Sequence, residues 1–385
     1  MKMREKLLTE IQQLETEIIE VSRFIHANPE LGYEENKCSE FLSNRLKEHG
    51  FKVERNVASL PTAIRASFTS NKPGPAVGFI AEYDALPDIG HGCGHNLIAA
   101  SAFGAAVALS KVIQEVGGSV WFFGTPAEET DGGKVPMIAH GVFKQVDAVM
   151  MMHPEGFYLV NTVALALDAL EFQYEGKATH AAATPHEGVN ALDAILLLFN
   201  GVNALRQQVK PDVRIHGIIT KGGVAPNIIP DLTEAKFYVR ANDRAYLNIV
   251  TEKVKNVAQG AAIATGCKLS IKNYERSMDN QINNPVLSQL IDKNLRDLGI
   301  TEIALHDDVP GSTDFGNLSH EVPAAGFYCA TAPKGSDLHT GEFAALSVTQ
   351  HAHEHTVIAV KTMALSGLEL LEHPQLVEEV KNEHR

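Results

Sequence analysis

The sequence predicts an α/β protein: a mixed, largely parallel sheet sandwiched by helices, with a smaller α+β module inserted into it. Short, almost entirely apolar runs of strand length alternate with helical patterns, an order typical of parallel sheets covered on both faces. Near residue 168 the order changes to strand, helix, strand, strand, helix and strand, as in ferredoxin-like units. The length of 385 residues also favours two domains.

The chain begins with two helical patterns. Apolar residues recur at helical spacing over residues 5–28, and a turn that contains Pro29 separates them from a second helix over Glu35–His49. Gly50 follows directly, and glycine is the residue most often found just beyond a helix end. Strands are then predicted at Phe51–Arg55, Ala63–Phe68, Ala76–Tyr83, Val120–Gly124 and Ala148–Met152, with a helix over Ile98–Gln114.

The inserted module is predicted to cover residues 169–280. Helical patterns return beyond it at Pro285–Leu298 and, as a long final helix, at Val348–Leu371. We therefore expect a discontinuous domain made of residues 1–168 and 281–385. Within the module we predict strands at Ala169–Tyr174, Ile215–Thr220, Leu232–Arg240 and Lys268–Tyr274, and helices at Gly188–Gln207 and Tyr246–Ala264.

Charge and composition exclude several classes of partner. The net charge is −14 and no run of Lys or Arg is present, which argues against binding to nucleic acid or to an anionic membrane. No uncharged apolar run reaches the roughly 18 residues of a membrane span, and the charged N-terminus lacks the apolar core of a secretory signal. Four cysteines without paired spacing suit a reducing compartment. We expect a cytoplasmic protein.

A candidate metal loop follows the strand that begins at Ala76. In the stretch Glu82–Asn96, Cys93 and His95 lie among glycines that let the backbone bend, so that both side chains can face one ion. Thiolate and imidazole are the usual zinc ligands. Open α/β sheets hold their ligands at the carboxyl ends of their strands. The sequence therefore predicts a metal at the edge of the sheet.

Two further strand ends carry ligand types. Glu128 and Glu129 follow the strand at Val120–Gly124, and adjacent carboxylates are costly to bury unless a cation lies nearby. Taken alone, they fit a solvated loop equally well. His153 follows the next strand. A metal site is favoured because three successive strand ends carry ligand types: Cys and His at the first, two Glu at the second and His at the third.

Other histidines stand apart from these strands. His180 lies among small residues in the inserted module, and His339 lies in a loop before the final helix. His351 and His355 have the spacing of a zinc-binding helix, but the acid of a His-Glu-x-x-His motif is missing between them. We interpret His351 and His355 as part of a solvated helix face.

Taken together, the motifs resemble those of peptidase family M-twenty, the dinuclear aminoacylases, carboxypeptidases and dipeptidases. The match is to its amidohydrolase branch, and within it to the subgroup of Xaa-Arg dipeptidases and aminobenzoyl-glutamate hydrolase-like proteins. The resemblance implies a zinc-exopeptidase-like catalytic domain and an inserted lid and dimerisation domain. The matching segments span nearly the whole chain in order: His26–Gly32, Asp84–Asn96, Pro126–Glu129, Met152–Pro154, Gly176–Pro185 and the His339 loop.

The resemblance also implies a set of metal ligands. Cys93 would take the place of the aspartate that bridges the two metals in the wider family, and Asp84 would orient a ligand. A thiolate favours zinc, whereas the carboxylates also suit manganese. The ligands of two divalent ions, zinc or manganese, would be Cys93, His95, Glu129, His153 and His339.

Catalytic and substrate-binding roles follow from the same resemblance. Glu128 would be the general base and acid, and His180 would polarise the scissile carbonyl, reaching the partner subunit of a homodimer formed through the inserted domain. Asn227 and Arg240 would hold the substrate carboxylate, which the planar guanidinium of arginine binds in a bidentate manner. Ser312 and Thr313 belong to a segment that resembles the family's substrate-binding loop.

These roles predict metal-dependent hydrolysis of an amide bond in a small dipeptide or N-acyl amino acid, by a metal-bridging water with Glu128 as base. One alternative is an N-acyl (aminobenzoyl) amino acid amidohydrolase rather than a dipeptidase, because both share every motif named above. Another is a non-catalytic binding or scaffold protein, which the complete ligand set disfavours. A structural zinc site is the third, and it would leave Glu128 without a purpose.

Overall fold

The computed structural model describes residues 2–306 and 311–384. The chain divides into two compact units. The first comprises Met1–Val163, Gln281–Pro310 and Asn317–Arg385, and the second comprises Ala164–Asn280 and Gly311–Gly316. The division after Val163 precedes the boundary expected at residue 168, because the first strand of the second unit already begins at Ala166. A backbone bridge between Ala164 and Gly311 joins the short segment to that unit.

Twelve strands and twelve helices are present in the described residues. The strands are β1 (Lys52–Arg55), β2 (Ile64–Thr69), β3 (Ala76–Ala81), β4 (Ser119–Gly124), β5 (Ala148–Glu155), β6 (Tyr158–Val160), β7 (Ala166–Glu175), β8 (Arg214–Lys221), β9 (Leu232–Ala241), β10 (Lys268–Asn273), β11 (Ile303–Ala304) and β12 (Ala324–Ala330). The helices are α1 (Lys2–Ala27), α2 (Asn36–Glu48), α3 (His95–Ser110), α4 (Ile113–Val116), α5 (Lys134–Ala139), α6 (Ala191–Leu205), α7 (Arg244–Thr265), α8 (Pro285–Asp297), α9 (Phe315–Glu321), α10 (Gly341–Leu346), α11 (Gln350–Glu372) and α12 (Pro374–Glu383).

The first unit is built on an eight-stranded sheet in the order β1-β2-β4-β3-β5-β12-β6-β11. Its centre is parallel, since β3 pairs in parallel with both β4 and β5, and β5 pairs in parallel with β12. The β1–β2, β2–β4 and β6–β12 pairs are antiparallel. This is the mixed, largely parallel sheet that the sequence predicts.

Helices α1, α3 and α11 pack together against this sheet. All 16 residues of α3 are buried, which explains why its sequence is apolar on every side. The expected final helix ends at Glu372, and a further helix, α12, begins directly after His373 with Pro374 in its first turn. Proline is tolerated there because the first backbone N–H groups of a helix have no partner within it.

The second unit contains a four-stranded antiparallel sheet in the order β10-β7-β9-β8, as in the predicted ferredoxin-like module. Helices α6 and α7 pack together and share a separate hydrophobic core with this sheet. In β9 the core residues alternate with more exposed ones, so Phe237 and Val239 are buried whereas Tyr238 and Arg240 are only partly buried. Among residues 2–306 and 311–384, every helix is too short or too polar to cross a lipid bilayer.

Candidate metal centre

Four parallel strands of the first unit end at the same edge of its sheet. The segment that carries Cys93 and His95 follows β3, and the segment that carries Glu128 and Glu129 follows β4. His153 lies near the end of β5, and a loop after β12 carries His339. The carboxyl ends of parallel strands lie side by side, which brings these side chains into one cluster.

The side-chain donors of this cluster lie close together. Cys93 Sγ is 3.5 Å from His153 Nε2. Glu129 Oε1 is 3.6 Å from His95 Nε2 and 3.5 Å from His339 Nε2. Within each of three overlapping triads, the ligand atoms lie within 4.8 Å of one another: Cys93, His95 and His153; Cys93, Glu129 and His339; and His95, Glu128 and Glu129.

These donors fit divalent metal ions. His95 Nε2 and Glu129 Oε1 are buried, and neither has a hydrogen-bond partner in the described residues. Buried polar atoms are normally satisfied. The other ring nitrogen of His95 lies 3.0 Å from Asp84 Oδ1, and that of His153 lies 2.8 Å from the carbonyl oxygen of Pro154. Such contacts fix an imidazole with Nε2 available to a metal.

The surroundings also set the protonation states of two donors. Burial lowers the pKa of His153 to about 4, so its ring is neutral at neutral pH, as a metal ligand must be. Burial raises the pKa of the Cys93 thiol, and the negative charge of Glu129 adds to this. Without a cation the thiol would keep its proton, so a bound metal is the group that would stabilise the thiolate.

Asp84 connects two of the donors. It is almost fully buried. Its Oδ1 faces His95, and its Oδ2 accepts a hydrogen bond of 3.0 Å from the backbone N–H of Glu129. Burial alone would raise the pKa of Asp84, but the hydrogen bond and charge of His95, together with the hydrogen bond from the Glu129 backbone and the charge of Lys134, lower it. Asp84 therefore contacts both His95 and Glu129, as a residue that orients metal ligands would.

Lys134 also lies in this cluster, although no sequence motif singles it out. Its side chain is fully buried, and its Nζ donates a hydrogen bond of 2.5 Å to Glu82 Oε1. The second carboxylate oxygen of Glu82 lies 3.5 Å from His95 Nε2. Burial alone would raise the pKa of Glu82, but the charge and hydrogen bond of Lys134, together with the charges of His95 and His153, lower it. The one local signal in the sequence is the pair of glycines directly before Lys134, which indicates that the backbone packs closely against its neighbours there.

Local backbone geometry brings the Cys93 loop and the His339 loop together. Gly94 has φ of 75°, and a Cβ atom there would lie 2.8 Å from the ring of Pro154. Glycine therefore suits this position both by conformation and by space. The backbone N–H of His339 donates to the carbonyl oxygen of Gly92 at 2.9 Å, although the His339 side chain is 54% exposed.

The remaining residues expected in the site lie in the second unit. His180 is exposed, and its Nδ1 accepts hydrogen bonds of 3.2 Å from the backbone N–H groups of Ala182 and Ala183. Its Nε2 then carries the proton and can donate to a ligand. The backbone N–H of Ala181 donates to the carbonyl oxygen of Asn227 at 3.0 Å, which keeps Asn227 beside His180.

Arg240 and the 312–313 loop are also neighbours within the second unit. Arg240 Nη1 donates to Ser312 Oγ at 3.2 Å, and its Nε is buried without a partner among the described residues. Thr313 Oγ1 accepts from the backbone N–H of Phe315 at 3.2 Å, and its hydroxyl can still donate to a ligand. The guanidinium of Arg240 thus retains donors for an anionic ligand.

The expectation of a solvated face at His351 and His355 is only half right. His351 is exposed, but His355 is partly buried, and its Nδ1 lies 2.7 Å from the hydroxyl oxygen of Tyr158. The helix α11 faces the core along its length, and His351 Nε2 also lies 2.9 Å from the carbonyl oxygen of Ala330, so both histidines have a polar partner.

Comparison with known proteins gives a consistent result. The model of peptidase family M20/M25/M40 matches residues 26–358. The chain is 38% identical to mouse Xaa-Arg dipeptidase, over 95% of this chain and 88% of the relative. It is 31% identical to one of the subunits of the p-aminobenzoyl-glutamate hydrolase of Escherichia coli K12, over 93% of this chain and 90% of the relative.

Solved structures share the fold. A putative aminohydrolase from methicillin-resistant Staphylococcus aureus superposes with a TM-score of 0.82 at 22% identity, covering 96% of this chain and all of that one. A dinuclear metal binding peptidase of the M20 family from Bacillus subtilis superposes with a TM-score of 0.72 at 22% identity, covering 94% of this chain and 99% of that one. The family model, the two relatives and the shared fold lead to one conclusion: this chain belongs to peptidase family M20/M25/M40.

Proposed function

We propose that this chain, a metal-dependent amide hydrolase of the M20 peptidases, cleaves small dipeptides that carry a free C-terminal carboxylate. The observation that carries the proposal is the cluster at the strand ends. Its buried, unpartnered donors, His95 Nε2 and Glu129 Oε1, lie beside a second carboxylate, Glu128, in one compact triad. A site that only held metal would not need that second acid.

Two divalent ions bound by Cys93, His95, Glu129, His153 and His339 would supply Lewis acidity and lower the pKa of water at the site. Glu128 then acts as the general base: its carboxylate accepts a proton from water and transfers it to the leaving nitrogen. Glu128 is half-buried, which leaves its carboxylate accessible to a substrate. Asp84 fixes the orientation of His95 while the proton moves.

Residues of the second unit are proposed to bind the substrate. His180 donates from Nε2 to the carbonyl oxygen as negative charge develops there, in the role that the family resemblance implies. Arg240 binds the terminal carboxylate through its planar guanidinium, supported by Ser312. Asn227 and Thr313 complete the group of polar side chains assigned to the substrate.

The relatives suggest two substrate classes. The similarity to mouse Xaa-Arg dipeptidase suggests a dipeptide as the substrate of this chain. The similarity to the Escherichia coli relative, part of an aminobenzoyl-glutamate hydrolase, suggests an N-acyl amino acid. Both classes have a carboxylate for Arg240. We propose dipeptides first because the identity to the dipeptidase is higher, and N-acyl amino acids as the second candidate.

Zinc is the proposed metal, with manganese as the alternative. A thiolate and three imidazoles are borderline-to-soft ligands that zinc prefers, whereas the carboxylate of Glu129 also suits manganese. All four cysteines of the chain are free, which supports a reducing, cytoplasmic location.

A homodimer through the second unit is also proposed. Strand β8 is an edge strand, since it pairs only with β9 in this sheet, and Ile218 and Ile219 on it are exposed. Leu196 and Leu197 on α6 are exposed as well. An apolar edge strand is a template for pairing with another chain, and a second copy of this chain could pair with it through the same edge.

The test is a hydrolysis screen with zinc and manganese in parallel. Dipeptides with basic and β-alanyl residues are compared with N-acetyl and aminobenzoyl amino acids. We expect kcat/KM to be highest for a dipeptide, and amidation of its C-terminal carboxylate to abolish turnover. The variant Arg240→Met should raise KM for the dipeptide with a free carboxylate. Hydrolysis of N-acyl amino acids alone would move the assignment to the second class, and no hydrolysis of either class by the metal-loaded protein would overturn it.

A further inference from the structure

The residue before Glu128 has an unusual backbone conformation. Ala127 is fully buried and has φ of 59°, in the left-handed region. This conformation is unfavourable for a residue with a Cβ atom. The backbone conformation of Ala127 sets the direction in which the side chain of Glu128 points. Because this conformation is unfavourable, contacts around Ala127 must hold it.

Glu35 makes the contact that holds it. Its side chain is fully buried, and Oε1 accepts a hydrogen bond of 2.8 Å from the backbone N–H of Ala127. Oε2 accepts a hydrogen bond of 2.6 Å from the hydroxyl of Thr62. The carbonyl oxygen of Thr62 in turn accepts a bond of 2.6 Å from the hydroxyl of Tyr83. Both carboxylate oxygens of Glu35 are therefore used, and each partner is fixed by the fold.

The segment just before Glu35 packs against the same peptide. A Cβ atom at Gly32 would lie 2.9 Å from Ala127 Cα and 2.3 Å from Thr130 Oγ1, so only glycine fits there. The carbonyl oxygen of Glu30 also accepts a hydrogen bond of 2.8 Å from the backbone N–H of Ala85, next to Asp84. Residues 30–35 thus contact both loops that carry the candidate catalytic and orienting acids.

We infer that Glu35 is a positioning residue of the hydrolytic reaction: it holds the left-handed peptide at Ala127 and thereby aims the Glu128 carboxylate. The inference rests on the proposed role of Glu128 as general base. The two carboxylate oxygens of Glu35 are engaged by Ala127 and Thr62, neither of which is a candidate metal ligand or substrate-binding residue. Its effect is therefore expected on turnover rather than on metal or substrate binding.

The test compares Glu35→Leu, which removes both acceptors, with Glu35→Gln, which keeps an acceptor for the Ala127 N–H. Misplacement of a catalytic group by a fraction of an ångström to 1 Å costs up to about a hundredfold. We expect Glu35→Leu to lower kcat at least about tenfold, with KM and metal content within about twofold of the unmodified chain. Glu35→Gln should recover most of the loss. The matched control is Glu34→Leu, an exposed neighbouring acid, with unchanged kcat.

A second substitution distinguishes a misplaced Glu128 carboxylate from a general loss of protein stability in Glu35→Leu. Ala127→Gly removes the Cβ atom that makes a positive φ unfavourable. Added to Glu35→Leu, it should restore part of kcat, at least about threefold, although it makes no new contact. If Glu35→Leu does not fold, Thr62→Val, which removes one of the two donors to Glu35, is measured by the same criteria.

Three outcomes overturn the inference: a kcat of Glu35→Leu within about twofold of the unmodified chain, a loss of bound metal that accounts for the lost activity, or a kcat loss that neither Glu35→Gln nor Ala127→Gly relieves. Glu128→Gln is assayed alongside. If Glu128→Gln is inactive while the Glu35 variants behave normally, only the positioning role fails. If Glu128→Gln is fully active with full metal content, Glu128 is not the general base, and the positioning role of Glu35 fails with it. The proposed function fails only if the unmodified, metal-loaded protein hydrolyses neither substrate class.

Discussion

At the scale of single residues, adjacent acids in the loop after β4 are predicted to have different roles. Glu129 Oε1 faces two imidazole nitrogens, whereas Glu128 shares a triad with His95 and Glu129. Glu128→Gln keeps the size of the side chain but cannot accept a proton. We expect bound metal to be unchanged and kcat to fall by about 10²–10⁴, the usual contribution of a general base. Metal analysis and steady-state kinetics on the same sample measure both quantities.

Glu129→Gln is the matched control for that variant. It weakens the donor whose Oε1 lies 3.6 Å from His95 Nε2 and 3.5 Å from His339 Nε2. We expect this variant to lose metal, and activity with it. If Glu128→Gln rather than Glu129→Gln loses the metal, the two roles are exchanged.

The Lys134–Glu82 pair gives a second prediction for single residues. Both side chains are buried, so Lys134→Met leaves the Glu82 carboxylate charged and without its partner. We expect the free energy of unfolding to fall by about 3–5 kcal/mol, the usual cost of breaking a buried pair. Adding Glu82→Gln removes the unpaired charge and should recover most of this loss. Urea denaturation followed by Trp121, the single tryptophan, reports on β4 of the same unit.

An exposed lysine controls for the general effect of removing a positive charge. Lys144→Met, at an exposed position, should change the free energy of unfolding by no more than about 0.5 kcal/mol. Equal losses in Lys134→Met and Lys144→Met, or a double variant with Glu82→Gln that is less stable than Lys134→Met alone, would contradict the assigned pair.

At the scale of elements, the sequence predicts the strands better than it predicts which other residues lie at the strand ends that form the candidate site. The apolar runs at β3, β4 and β5 are evident, and residues that follow a parallel strand share an edge, so Cys93, Glu129 and His153 can be grouped from their spacing. His339 follows β12, which in the sequence is only a short apolar segment. Only the family resemblance places His339 among the predicted metal ligands. Burial of Lys134 and Glu35 depends on tertiary packing, because charged residues are mostly exposed and no local pattern marks the exceptions.

Strand β8 carries the prediction that belongs to this scale. Ile218 is 64% exposed on an edge strand, and the double variant Ile218→Glu, Ile219→Glu introduces charge along the proposed dimer edge. Like charges from two copies would meet there and repel. We expect light scattering after size exclusion to show a dimer for the unmodified chain and a monomer for this variant. Ile263→Glu, on α7 at 74% exposure, is the control and should remain dimeric. A monomeric unmodified chain would refute the proposed dimer.

At the scale of the whole molecule, buried acids connect the stability of the first unit with its chemistry. Burial is the main cause that raises the pKa of Glu35 to about 7; the negative charge of Asp84 adds to it, and the hydrogen bond from Thr62 opposes it. A carboxyl group with a raised pKa in the folded state favours folding most when it is protonated. At neutral pH, Glu35 therefore lowers the stability of a fold that it also organises.

The raised pKa of Glu35 predicts a specific pH dependence of the free energy of unfolding. The ordinary pKa of Glu is 4.5 and that of Glu35 in the fold is about 7, so between these values the folded state retains a proton that the unfolded chain has lost. The free energy of unfolding should therefore fall as pH rises through this window, by roughly 3 kcal/mol in total, since one pKa unit corresponds to about 1.4 kcal/mol. Glu35→Gln cannot titrate, and the difference between the two proteins isolates Glu35 from every other group. Urea denaturation at several pH values, with chelator present to exclude metal binding, measures that difference; a constant difference from pH 4.5 to 7 would show that the Glu35 carboxyl titrates in the fold as it does in water.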